Sequence, residues 1–186
     1  MSEPCSLYVQ VTMQPPQFAA FLAASPAQPT VNTNWEAWWD SRKLDEKWGI
    51  NDFLYGYEKN IANQEAIDAW LAREFAIAAS IYDPETGVWR FSVNEFSENY
   101  GEILPTLAFL EGVLPFREEN PADFAVVYDF FYGGDSVMAF MDFVQGQMRL
   151  DPNICTKSQL DPAKLAQAEA HLQRQWDIFE QNREDD

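Results

Sequence analysis

Acyl or group transfer through a serine or cysteine needs a base beside the nucleophile, and the sequence offers one histidine, His171. It stands beside Leu172, between Glu169 and Arg174, in a stretch of helical periodicity, which reads as a solvated or half-buried helix residue. Cys5 and Cys155 are far apart and form no CxxC pair, so a zinc site is not expected, and two idle thiols are the commoner arrangement without a secretory leader. Neither GxGxxG nor GxxxxGK[ST] occurs; Gly133-Gly134 lies between two apolar runs and ahead of Asp135, which suits a turn and would repel a phosphate. Carboxylates are plentiful: Glu95, Glu98 and Glu102 surround one junction, and Asp40, Asp45 and Glu46 another. Without DxD, HExxH or an EF-hand loop, these read as a solvated acidic rim. No enzyme, cofactor or metal is expected from this inventory.

The charge balance narrows the partners. Against 12 Lys+Arg stand 30 Asp+Glu, a formal net charge of -18, which repels nucleic acid and anionic lipid and attracts cationic proteins. The same acidity also serves solubility, and the balance alone does not separate the two uses. Disorder is excluded by 47% hydrophobic and 15% aromatic residues, and 186 residues suit one domain spanning 1–186. The opening Met1-Ser2-Glu3-Pro4 lacks a leader pattern, and no run reaches membrane-spanning length, so the expected location is the cytoplasm.

Alternation over Leu7, Val9, Val11 and Met13 predicts a half-buried strand, followed by a short helix opened by Pro15-Pro16 and stopped at Ser25-Pro26. Residues 27–34 read as loop. Trp35, Trp38 and Trp39 share one face of a helix, either docked on the core or exposed as a recognition surface among Asp40, Asp45 and Glu46. Asn63 is the expected N-cap of a long helix over 63–80, carrying Ile67, Trp70, Leu71, Phe75 and Ala78. Asp83 to Gly87 is a hairpin turn into a strand with Trp89, Phe91 and Val93 on one side and Arg90, Ser92 and Asn94 on the other. A helix from Ile103 to Val113 stops at Pro115. Phe124 to Tyr132 and Val137 to Val144 form a second hairpin about Gly133-Gly134-Asp135, apolar on both faces and therefore central. Asp161-Pro162 opens a last helix with Leu165, Ala168, Leu172, Trp176 and Phe179 in one stripe. The order predicts an α+β fold: an antiparallel or mixed sheet with helices packed mainly on one face.

In character the chain is similar to the immunity proteins of bacterial polymorphic toxin systems, small cytosolic inhibitors of effectors delivered by contact or type VI secretion. The segments that carry the likeness are the Trp-rich acidic stretch from Trp35 to Asp45 and the run Tyr128-Asp129-Phe130-Phe131-Tyr132-Gly133-Gly134-Asp135. The resemblance implies a cognate basic toxin whose active site is occluded, contacted through Trp38, Trp39, Asp40, Asp45, Glu46, Glu95, Glu98, Glu102 and Asp135. Two alternatives stay open: a nucleic-acid mimic that blocks a DNA-binding protein, and an enzyme using a carboxylate pair or metal. A homodimer covering one apolar strand face also stays open.

Overall fold

The computed structural model describes residues 4–42, 49–53 and 55–184. Six strands form one sheet, β1 (Ser6–Thr12), β2 (Ala78–Asp83), β3 (Val88–Val93), β4 (Phe124–Tyr128), β5 (Val137–Val144) and β6 (Gln147–Leu150). Their spatial order is β2-β3-β1-β4-β5-β6, and every pairing is antiparallel. The helices are α1 (Pro15–Ala23), α2 (Thr33–Ser41), α3 (Asn63–Leu71), α4 (Tyr100–Glu111) and α5 (Pro162–Glu184).

Strand β1 lies between β3 and β4, and all seven of its residues are buried, so it is covered on both faces rather than half-buried. Alternation decides which face each residue serves. Leu7, Val9 and Val11 join Trp89, Phe91 and Val93 beneath α1–α4, where Phe21, Trp35, Trp38, Ile67, Trp70, Leu107 and Leu110 complete the larger core. Tyr8 joins Phe124, Val126, Tyr128 and Phe140 on the opposite face, against Leu160, Leu165, Ala168 and Leu172 of the C-terminal region. Four helices thus pack on one face and α5 alone on the other. The apolar outer faces of β4 and β5 pack against α5 and the segment that leads into it.

Helix α5 starts where its sequence says it should: Asp161 Oδ1 accepts from the backbone N–H groups of Ala163 (2.8 Å) and Lys164 (3.1 Å), with Pro162 opening the helix. It is also pinned by polar contacts. Lys164 Nζ pairs with Asp142 at 2.8 Å, Gln167 Nε2 donates to Tyr8 OH at 3.0 Å, and Asn94 Nδ2 donates to Leu172 O at 3.0 Å. Ser92 of β3 and Asn94 just after it are therefore buried beneath this helix.

Three elements depart from the expectations. Helix α3 ends at Leu71, nine residues before Ser80, because Ile77 takes a left-handed φ of 48° and Ala78 already belongs to β2; Phe75 is 73% exposed instead of lying on a buried stripe. Asn63 is not the cap. It is buried one position later and donates from Nδ2 to Phe21 O at 2.8 Å, tying α3 to the end of α1. The second hairpin is shorter, with β4 stopping at Tyr128, and a further strand, β6, follows β5 through the two-residue turn Gln145-Gly146, both at positive φ.

Candidate partner-binding surface

At one end of the sheet the start of β1, the ends of β3 and β4 and the start of β5 lie side by side, as the pairings Leu7↔Val93, Ser6↔Tyr128 and Tyr128↔Val137 require. The connections that leave this end carry three of the residues singled out in the sequence, Glu95, Glu98 and Asp135. Glu95 and Glu98 follow β3, Asp129 follows β4, and Asp135 precedes β5. Since strands two positions apart are separated by roughly 10 Å, the ends of β3 and β4 place these acids on either side of Cys5. The electrostatics agree: burial first, then the charges of Asp129 and Glu98, push the Cys5 thiol up to about 12.

The loop from Asp129 to Ser136 is built around its aspartate. Asp129 N–H donates to Ser136 O at 2.9 Å, and its carboxylate occupies the space that a Cβ on Gly134 would need. Glycine at 134 is thus a condition of the loop's shape. Phe130 and Phe131 meet edge to face at 5.9 Å, Phe131 meets Trp176 of α5 at 4.5 Å, and Tyr132 is 45% exposed at the tip. Asp135 is exposed, and its Oδ1 accepts from Lys157 N at 3.1 Å, anchoring the loop to the 3-10 turn at Lys157–Gln159.

Behind the loop, α2 is fastened at both ends. Asn32 caps it by accepting from Asn34 N (2.9 Å) and Trp35 N (3.1 Å), while the Asn34 amide exchanges two 2.8 Å hydrogen bonds with the backbone of Leu150 on edge strand β6. Its other end carries Arg42, buried, whose guanidinium donates to the carbonyls of Val137 (2.9 Å), Met138 (3.1 Å), Pro152 (3.3 Å) and Ile154 (3.2 Å) and to Cys155 Sγ (3.2 Å). A cleft of about 360 Å³ opens beside this clamp between Tyr100, Met138 and Thr156.

The structure separates the residues proposed for contact. Glu95, Glu98 and Asp135 share the sheet end, and Asp40 is exposed near the end of α2. Glu102 lies in the first turn of α4, 3.9 Å from Arg73, which stacks over Trp70. Trp38 and Trp39 are a correction: both are buried, Trp38 fully, and Trp39 packs edge-on against Tyr100 at 4.9 Å, so the rings serve the core. Their spacing suited burial and recognition equally; the neighbouring layer of α4 decides. Asp45 and Glu46 lie outside the described residues. The sequence likeness rests in part on the run holding Asp129, Phe131 and Tyr132, and Trp176 is expected on the stripe of the last helix, but none of the four is assigned to the contact from the sequence.

Among the described residues, no group of three or more His, Cys, Asp or Glu is placed to hold a metal ion. Asp123 is buried at the opposite end of the sheet, where it binds Arg117 (3.2 Å) and Thr12 Oγ1 (2.8 Å), a clamp with its lone pairs committed. No described helix is long and apolar enough to cross a membrane. Compared with family models, curated proteins and solved structures, the chain matches none. What fold and surface define is an α+β protein with an acidic, aromatic-tipped sheet end.

Proposed function

We propose that this protein is a binding protein that neutralises a basic partner, in the manner of an immunity protein acting in the cytoplasm against a toxin or secreted effector, by seating the acidic sheet end over the partner's active site. The observation that carries the reading is the grouping at one sheet end of two acidic connections, one with Glu95 and Glu98 and the other with Asp129 and Asp135, the second also presenting the exposed ring of Tyr132. Acids arranged in this way steer a cationic partner into encounter, and rigid rings beside them give the lasting contact. With a net charge of -18 the whole molecule adds to that field.

The test begins with the tagged protein used to capture partners from its own host's lysate, washed at low and then high salt. A stoichiometric basic protein that arrests growth when expressed alone supports the reading. Against that partner, the double change Glu95→Lys with Glu98→Lys slows association about tenfold and flattens its salt dependence, with dissociation far less affected. Unaltered association kinetics for a folded double variant would remove this surface from the contact.

A further inference from the structure

On the α5 face, away from the acidic end, a cleft of about 340 Å³ lies between α5 and the outer strands β2 and β3. Its walls are Tyr8, Ile81, Arg90, Gln167, His171 and Arg174, with Ala170 and Gln175 at the rim. Gln167 donates to Tyr8 OH at 3.0 Å and also bonds Gln10 Oε1, which in turn accepts from Arg90 Nε at 3.2 Å. This chain of amides, phenol and guanidinium fixes the floor. His171 closes one side, its Nε2 sharing a 3.0 Å hydrogen bond with Ser92 Oγ and its ring lying 5.2 Å from that of Tyr8.

The charge of the cleft runs against that of the chain. Arg73, Arg117, Arg149 and Lys164 each lie within ion-pair distance of a carboxylate, whereas among the described residues neither Arg90 nor Arg174 does, although both line the same cleft. Asp83, whose carboxylate feels Arg90 only weakly, is committed to Thr86 Oγ1 at 2.7 Å and Glu85 N at 2.9 Å. Burial, followed by the fields of Arg90 and Arg174, pushes the His171 imidazole down to about 4, so at neutral pH it is uncharged and both guanidiniums face a site that lacks a counter-charge from the protein.

We propose that this cleft is a binding site for a small oxyanionic ligand, with its carboxylate or phosphate group held between Arg90 and Arg174 and its carbon body against Ile81 and Ala170. Arginine forks match the geometry of either oxyanion, and the volume is at the small end of ligand pockets, which suits a compact metabolite. Gln167, Gln175 and the Tyr8 hydroxyl supply the orienting polar contacts. Ile81, 44% exposed on the edge strand, gives the apolar wall. The site is independent of the partner surface.

His171 is the one histidine of the chain, so its imidazole signal in a carbon–proton spectrum needs no assignment. The protein is titrated separately with inorganic phosphate and with succinate, at constant ionic strength held by sodium chloride. The expected result is a saturable shift of the His171 signal with at least one of them. Saturation by phosphate alone identifies a phosphate ligand, by succinate alone a carboxylate ligand, and by both a site that reads the shared oxyanion chemistry. Arg174→Gln, at an exposed position that leaves the fold intact, weakens the apparent affinity at least about tenfold, and Arg90→Gln does the same. Arg174→Lys retains part of the binding. Shifts that grow linearly with both probes, or saturation left unchanged in the folded Arg174→Gln protein, overturn the proposal.

Discussion

His171 shows how far a single residue can be read in advance. Its half-buried helical position was legible from the periodicity of α5, but its neighbours Ser92, Tyr8 and Arg90 come from strands about 80 and 160 positions earlier, and no local pattern announces them. The same limit applies to Trp38 and Trp39, whose fate depended on α4. The depressed imidazole gives a prediction with a definite sign. In the unfolded chain His171 takes a proton near its ordinary 6.5, in the folded one only near 4. The folded state therefore binds fewer protons between these values, and the stability due to the neutral ring is fully present above 6.5 and is lost as pH falls toward 4. Comparing urea unfolding of the wild type and His171→Gln at pH 7 and pH 4.5, the difference should move by about 2 kcal/mol against the wild type at the lower pH. A difference that stays constant would mean that the ring remains accessible to protons in the folded protein.

At the scale of elements, strands were more legible than helix ends. The alternation of β1 and β3 and the Asp83–Gly87 turn appear where expected, because period-two patterning is a local signal. Helix α3 was overextended since Phe75 and Ala78 continue its spacing, and only the left-handed Ile77 reveals the switch into β2. Hairpin β5–β6 escaped notice because Gln145-Gly146 lacks the Asn or Asp that usually marks such a turn. Least legible of all was Arg42, one of several charged residues in its segment, which fastens the end of α2 to β5 and to the chain after β6. Its acceptors are carbonyls spread around a planar fork, a set that an ammonium cannot reach from one point. Arg42→Lys should lower the unfolding free energy by roughly 2 kcal/mol in chemical denaturation, by leaving buried carbonyls unpaired. Equal stability of the two proteins would show that the carbonyls find other donors.

For the whole molecule, charge and layering matter most. The α+β class and the acidity were both legible from composition and element order, whereas the distribution of acids was not, since it depends on which strand ends lie together. A net charge of -18 on a chain of this size resists compaction. Raising sodium chloride at pH 7 from 10 to 150 mM shortens the Debye length from roughly 30 to 8 Å. The melting temperature should climb by roughly 4 °C, the equivalent of about 1 kcal/mol. A flat response in calorimetry would indicate that the acids are spaced widely enough to ignore one another. The layering, with four helices against one face and α5 alone against the other, also has a consequence for how the chain is made. At about 5–20 residues per second, the roughly forty residues between the end of β5 and the end of α5 take a few seconds to emerge. For that interval Tyr8, Phe124, Val126 and Phe140 can be assembled into a sheet whose second side has no cover. Until α5 docks, that apolar side of the sheet meets water, and closing it off is the step that turns a one-sided layer into the buried sheet of the folded protein.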